Sequence, residues 1–194
     1  MGRPKAFDRD AALRSAMHAF WAKGFEACST ADLLQAMQIG RQSLYDTFGD
    51  KHTLFVEALE LYRREQGGGL RAALEDAASP LDAIRSVLLS IAAESPEDRA
   101  RGCMMVNTTA ECGGEDPQVG RVVAGNARGC VSAFEKAVAA ARDAGDLPSS
   151  VDPPAAARYL FMSLQGLRVT AKAGTSPKHL REMVAHVLSA LRGC

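Results

Sequence analysis

The run Arg41-Gln42-Ser43-Leu44-Tyr45-Asp46-Thr47-Phe48 combines apolar and hydrogen-bonding side chains in a pattern suited to nucleic-acid chemistry. Arginine can pair with guanine and glutamine with adenine in the major groove of DNA, and hydroxyl groups can bind phosphate oxygens. Leu44 and Phe48 are four residues apart, so a helix through this run has one apolar face and one polar face. The run therefore predicts a DNA-contacting helix, and its polar face is assigned to Arg41, Gln42, Ser43, Tyr45 and Thr47.

A preceding short helix is needed to hold this run against DNA. It is expected to begin at Ser29-Thr30, where either hydroxyl can cap free backbone N–H groups, and to reach Ala36 before Gly40 breaks the chain. Two helices joined by a short turn that contains glycine form a helix-turn-helix, in which the second helix enters the major groove. In the helix that follows, the ammonium of Lys51 could bind a phosphate together with nearby N–H groups. Further DNA contacts are therefore predicted at Thr30, Lys51 and, on a basic N-terminal arm, Arg3 and Lys5.

The segment from Ser29 to Phe55 resembles the DNA-binding head of the tetracycline-repressor (TetR) family. The resemblance implies an all-α fold, with an N-terminal three-helix helix-turn-helix head and a C-terminal helical body for effector binding and dimerisation. It also implies a transcriptional regulator, expected to be a repressor, that binds a palindromic operator as a homodimer and is released by a small-molecule effector. The family's most telling positions are Leu44-Tyr45, Phe48 and Lys51, and Gly24-Phe25 after the first helix fits the family pattern too. Departures from the family pattern lie at Gln38, Gly40 and Gln42, where Gly, Ser and Gly are usual.

Helical spacing extends through the rest of the chain. Apolar residues recur every three or four positions, and no segment shows the period-two alternation of a strand. Gly67, Gly68 and Gly69 are expected to end the helix that begins near Asp50, because each glycine costs about 1 kcal/mol in a helix. We therefore predict a head at residues 1–50 and a helical body at residues 51–194. Further helix starts are indicated where Ser or Asp precedes a proline, at Pro80, Pro96, Pro117, Pro153 and Pro177.

Dimerisation is expected at the last two helices, 153–173 and 177–191. The first of them is apolar on more than one face, which a helix at a free surface would not need. A single short recognition helix contacts few base pairs, so a two-fold dimer that reads a palindrome is the economical solution. In the TetR family the corresponding helices form the dimer. The residues assigned to this interface are Leu160, Leu164, Leu167, Val184, Val187 and Leu191.

The resemblance also implies an effector cavity inside the body. Asn126 and Gln165 each interrupt an apolar stripe, and a buried amide needs a hydrogen-bond partner from protein, water or ligand. Methionine and phenylalanine provide adaptable apolar walls. The alternative interpretation places most of these side chains in an ordinary core. The candidate lining residues are Tyr62, Met105, Asn107, Asn126, Phe134, Phe161 and Gln165.

Composition narrows the class of protein further. The 194 residues hold 23 Lys and Arg against 23 Asp and Glu, so net charge alone indicates neither a nucleic-acid nor a membrane partner. No stretch approaches the roughly 18 apolar residues of a membrane helix, and the N-terminus lacks the apolar run of a signal peptide. The five cysteines form no C-x-x-C pair. We therefore expect a soluble cytoplasmic protein with no membrane partner.

The sequence offers little for catalysis. It contains no Ser/His/Asp set, phosphate-binding glycine loop or metal-ligand spacing in a suitable setting, so neither enzymatic activity nor a cofactor or metal is expected. One alternative stays open: a redox- or electrophile-sensing regulator with the same head, which would use a reactive thiolate in place of a bound ligand. Its candidate thiols are Cys103, Cys112 and Cys130, with Cys112 beside Gly113-Gly114 expected to be the best placed.

Overall fold

The computed structural model describes residues 7–75, 79–112 and 114–192, and α-helices form all the regular secondary structure in those ranges. This confirms the all-α fold. The helices are α1 Arg9–Lys23, α2 Thr30–Met37, α3 Arg41–Phe48, α4 Lys51–Glu75, α5 Pro80–Ala93, α6 Pro96–Arg101, α7 Met104–Cys112, α8 Pro117–Asp143, α9 Pro153–Lys172 and α10 Pro177–Arg192.

The proline signals mark real helix starts. In α5, α6, α8 and α9 the residue before the proline is the N-cap, and its side chain accepts a hydrogen bond from a backbone N–H of the first turn. Proline fits the next position because that residue's N–H would have no partner within the helix. The fifth signal, Ser176-Pro177, coincides with the start of α10. The five predicted starts are therefore confirmed.

The prediction that Gly67, Gly68 and Gly69 end a helix is wrong, because α4 continues through them to Glu75. Beyond the glycines, Leu74 is buried in the core of the body, and Leu70 packs against the same core. A cost of about 1 kcal/mol per glycine is a local penalty, and the burial of apolar side chains on the same helix can offset it.

Two apolar clusters organise the chain. The first contains the inner faces of α1 to α3 and continues through Leu54, Phe55, Ala58 and Leu59 into the first half of α4. Residues of α7 and of the start of α8 complete it. The second fills the body between α5, α8, α9 and α10. Helix α4 belongs to both clusters, so it joins the head to the body. None of the described helices is long and apolar enough to cross a lipid bilayer.

Candidate DNA-binding head and effector cavity

The capping of α2 fixes the first half of the helix-turn-helix. The Ser29 side chain accepts a hydrogen bond from the Asp32 backbone N–H, and the Asp32 carboxylate accepts one from the Ser29 N–H, so the two form a capping box. The same carboxylate forms an ion pair with Lys23 of α1 at 2.6 Å. Hydrogen bonds from Lys23 and Ser29 hold the pKa of Asp32 well below its usual range. These contacts set the position of α2 against α1.

The turn between α2 and α3 needs an unusual backbone at Gln38. Its φ of 53° makes it the one non-glycine residue of the described ranges in the left-handed region. This is the position at which the family usually has glycine, and the left-handed conformation explains that preference. The turn keeps its conformation with glutamine in place. At Gly40 the backbone caps α3 without a side-chain hydrogen bond.

Helix α3 presents the predicted polar face. Leu44 and Phe48 are buried in the head core, whereas Arg41, Gln42 and Tyr45 are exposed, Tyr45 by 43%. Ser43 and Thr47 are half-buried at the edges of this face. The exposed residues can reach base edges, and the half-buried hydroxyls are better placed for the backbone of DNA.

The DNA contacts predicted outside α3 differ in where the structure places them. Thr30 is half-buried at the first position of α2. Lys51 opens α4, and its Nζ lies 4.6 Å from the centre of the Phe25 ring and 3.5 Å from the carbonyl oxygen of Glu26. Lys51 is therefore held against the turn after α1. Arg3 and Lys5 lie outside the described residues.

The same turn receives a side chain from the body. The Glu111 carboxylate, near the end of α7, accepts hydrogen bonds from the backbone N–H groups of Phe25 at 3.0 Å and Glu26 at 2.8 Å. Gly24 has φ 81° and ψ 175°, and a Cβ there would lie 2.7 Å from a Glu111 carboxylate oxygen. Sequence reasoning missed this contact, because the two segments are far apart in the chain and no motif joins them.

Three further contacts lie at the junction of the head and the body. The Trp21 indole N–H donates to the carbonyl oxygen of Gly102 at 2.9 Å, and the Arg101 guanidinium lies 4.8 Å from the Trp21 ring centre. The Nε2 atom of His52, in the first turn of α4, contacts the carboxylate of Asp116, the N-cap of α8. Hydrogen bonds from the Val119 backbone and from His52 lower the pKa of Asp116.

A cavity of about 340 Å³ lies between α4, α5, α7, α8 and α9. Its volume suits a small organic molecule. Two predicted lining residues lie elsewhere: Phe134 is fully buried in the core of the body, and Asn107 binds the Arg101 carbonyl and the Lys172 ammonium. Those two assignments are corrected, since neither side chain faces the cavity. The predicted residues that do line it are Tyr62, Met105, Asn126, Phe161 and Gln165.

Sequence reasoning missed several polar groups of this cavity. Ser86, Ser90 and Arg168 contribute to its wall, and Arg168 forms an ion pair with Glu94. Among the predicted residues, the Tyr62 hydroxyl donates to the Cys103 sulfur at 3.6 Å. Burial raises the pKa of Tyr62, so its hydroxyl is a neutral donor at physiological pH.

The cysteines divide into two groups. Cys103 and Cys130 line the cavity, and burial raises the pKa of Cys130 to about 11. Cys112 does not line it, and burial together with the charges of Glu111 and Asp116 raises its pKa. Burial and nearby negative charge both disfavour ionisation of a thiol to the thiolate, which is the reactive form. Cys112, which was expected to be the best-placed thiol, therefore lies outside the cavity in surroundings that disfavour the thiolate, whereas Cys103 lies in the cavity wall.

The residues assigned to the dimer interface are mostly covered by their own chain. Leu160, Leu167, Val184 and Leu191 are buried in the core of the body, and a side chain buried there cannot form a contact surface. This corrects those four assignments. Leu164 and Val187 are half-buried, and Leu164 lines the cavity. The outward faces of the last two helices instead expose Met162 by 61%, Val169 by 54% and Met183 by 37%.

An exposed polar helix in a helix-turn-helix head, joined by a long helix to a body with a cavity between its helices, is typical of DNA-binding transcriptional regulators. Residues 12–58 match the family described as bacterial regulatory proteins of the tetR family, and residues 77–187 match the tetracyclin repressor-like C-terminal domain. The chain belongs to the TetR family, as the resemblance of its head implies.

Relatives of known name agree with this assignment. The chain is 34% identical over 193 residues to the uncharacterized HTH-type transcriptional regulator YezE of Bacillus subtilis, covering 98% of this chain and 100% of YezE. It is 29% identical over 189 residues to the HTH-type transcriptional repressor ComR of Escherichia coli, covering 96% of this chain and 90% of ComR. Among solved structures, it resembles a cysteine mutant of the TetR-family regulator CifR, complexed with 26-base-pair double-strand operator DNA. The TM-score is 0.85 at 33% identity, covering 98% of this chain and 100% of CifR.

Proposed function

We propose that this protein is a ligand-responsive repressor that binds a palindromic operator as a homodimer and releases it when a small molecule occupies the cavity. The observation that carries the proposal is the course of α7. Its first turn places Met105 and Val106 at the cavity, and its last turn places Glu111 on the backbone of the head. One rigid helix thus links the effector site to the DNA-binding unit.

The coupling follows from the two ends of α7. A ligand that displaces Met105 moves the helix as a unit, because its intrahelical hydrogen bonds resist bending. The carboxylate of Glu111 then moves relative to Phe25 and Glu26, and the head changes its position on the body. A ligand shifts this equilibrium only by the difference between its affinities for the two states.

The dimer is proposed to form through the exposed side of α9 and α10. Met162, Gly166 and Val169 recur at intervals of four and three residues, so they lie on one face of α9. Two of them are large apolar residues exposed by more than half, and glycine between them permits a close approach of a second helix. A dimer with two-fold symmetry places two copies of α3 on successive turns of DNA.

The assignment as a repressor is supported by the relatives. ComR carries that description, and the similar CifR structure holds operator DNA. A protein that acts on chromosomal DNA in a bacterium would do so in the cytoplasm. No catalytic or metal-binding function is part of the proposal.

The test is selection of bound sequences from a random duplex library, with the Tyr45→Ala/Lys51→Ala double variant as control. A two-fold symmetric motif that is enriched by the wild type and lost in the variant is expected. No enrichment by protein that has been unfolded, washed free of ligand and refolded would overturn the proposal. The enriched duplex then serves as the probe in an effector screen, where a hit should lose its effect when Gln165→Leu alters the cavity wall.

The cysteine-sensing alternative has its own supporting observation. Cys103 lines the cavity, half-buried, and accepts a hydrogen bond from Tyr62. A soft electrophile with a carbon–carbon double bond conjugated to a carbonyl group would be attacked there by sulfur. A carbon–sulfur bond forms, the double bond becomes a single bond, and the thiol proton passes to the carbon next to the carbonyl group. No oxidant is needed.

N-Ethylmaleimide is a suitable probe of this second function. One equivalent should add to Cys103, detectable by peptide mass spectrometry, and should release the operator. The Cys103→Ser variant should keep the operator in its presence, whereas Cys112→Ser should behave like the wild type. Release from Cys103→Ser at the same rate would remove the alternative.

A further inference from the structure

We propose that Asp46 is a positioning residue that orients the Gln42 amide, so that α3 prefers adenine over guanine at one symmetric pair of operator positions. This inference rests on the proposed DNA-binding function. It begins with a hydrogen bond on the exposed face of α3, in which Gln42 Nε2 donates to Asp46 Oδ1 at 2.8 Å. The two residues are four positions apart and therefore neighbours on the helix surface.

The chemistry of the partner determines which end of the amide faces it. An ionised carboxylate only accepts hydrogen bonds, whereas an amide has a donating nitrogen and an accepting oxygen. The nitrogen of Gln42 must therefore turn toward Asp46. This leaves Gln42 with one free N–H and with its oxygen to offer to a base.

That remaining pair of groups matches adenine. In the major groove adenine presents an acceptor, N7, beside a donor, the N6 amino group, whereas guanine presents two acceptors, N7 and O6. The free N–H of Gln42 can bind N7 of adenine while its oxygen accepts from N6. Against guanine the same arrangement makes one hydrogen bond and brings two acceptors together.

Asp46 takes no part in the core of the head. Its side chain is exposed, and the bond from Gln42 is the one side-chain hydrogen bond that the described part of the chain gives it. Its negative charge lies on the surface that would face DNA, where it opposes the phosphates. Removal of Asp46 should therefore strengthen binding to DNA in general while it weakens base discrimination. A residue that only stabilised the fold would not shift these two quantities in opposite directions.

The experiment measures base preference and affinity for the wild type, Asp46→Ala, Gln42→Ala and the double variant. Gln42→Ala identifies the operator positions that Gln42 reads. At those positions the wild type should prefer adenine over guanine by roughly tenfold or more. Asp46→Ala should reduce that ratio several-fold and bind non-operator duplex more tightly. In the Gln42→Ala background, Asp46→Ala should leave the ratio unchanged.

Glu26→Gln is the matched control, since Glu26 is another exposed carboxylate of the head and lies in the turn after α1, outside α3. It should raise affinity without a change in base preference. An unchanged adenine-to-guanine ratio in Asp46→Ala, or guanine at the positions that Gln42 reads, would overturn the inference while the proposed function stands. The absence of any symmetric motif from the wild type would overturn both.

Discussion

The Glu111 carboxylate accepts a hydrogen bond of 3.0 Å from the backbone N–H of Phe25, although the two residues belong to the body and the head. The neighbouring N–H of Glu26 makes a second bond to the same carboxylate. Both donors are backbone N–H groups, which every residue except proline has. The contact therefore fixes the position of the turn but does not depend on which side chains the turn carries. In the proposed mechanism, Glu111 is the residue through which a movement of α7 reaches the head.

Glu111→Ala should destabilise the protein, since it leaves two N–H groups without their charged acceptor. Because Glu111 is exposed and water can replace it, we expect a loss of about 1 kcal/mol and a fall of the thermal midpoint by about 2–4 °C. The thermal midpoint of Glu111→Gln should lie between those of the wild type and Glu111→Ala, because the amide oxygen of glutamine can still accept a hydrogen bond. Circular dichroism at 222 nm on heating measures the effect. An unchanged midpoint for Glu111→Ala would show that the contact contributes nothing to stability.

Gly24→Ala adds a single methyl group but should lower the stability of the protein substantially. Its φ of 81° and ψ of 175° fall in a region that is essentially limited to glycine, and the added Cβ would meet the Glu111 carboxylate at 2.7 Å. We expect a loss of about 1–3 kcal/mol in urea unfolding. Gly68→Ala is the control, because Gly68 lies inside α4 with a helical backbone and an added Cβ would meet no neighbouring side chain or segment within 4 Å. Equal losses in the two variants would contradict this account.

The glycines of α4 should be replaceable with a gain in stability. Gly68 is helical, and an added Cβ would meet no atom within 4 Å. Gly68→Ala should therefore raise the free energy of unfolding by about 0.5–1 kcal/mol, since alanine loses less backbone entropy. Urea titration at constant m-value is the measurement. A loss of stability would mean that α4 is not helical at this point in solution.

The continuation of α4 through three glycines shows the limit of predictions made from neighbouring residues alone. Capping residues and prolines predict helix starts well, because those effects act within one turn. They do not predict that a helix crosses Gly67–Gly69, since the compensation comes from Leu70 and Leu74 packing on distant helices. Spacing also predicts the apolar stripe of α9 but not which neighbour covers it, so Leu160 and Leu167 belong to the chain's own core. The contact of Glu111 with the head has no local signal at all.

The hydrogen bonds that Asp116 accepts from the Val119 backbone and from His52 predict a dependence of stability on pH. Because the pKa of Asp116 is lowered in the folded protein, its contribution is complete above the ordinary carboxyl pKa of about 3.9. That contribution is lost as the pH falls through the lowered value. The thermal midpoint of the wild type should therefore exceed that of Asp116→Asn at pH 6, and the difference should shrink below pH 4. A difference independent of pH would show that charge is not the cause.

The proposed dimer interface on the exposed face of α9 can be tested by introducing one charged residue there. Val169 is exposed by 54% in one chain, and in the proposed dimer it would be buried against the partner. A carboxylate at that position would be buried without a cation, which is costly enough to separate the subunits. Val169→Glu should therefore sediment as a monomer at concentrations where the wild type sediments as a dimer, and its operator affinity should fall steeply. Gln118→Glu adds the same charge at an exposed position of α8 and should remain a dimer. If Val169→Glu also remains a dimer with full operator affinity, the subunits meet through another surface and the position of the two copies of α3 must be derived afresh.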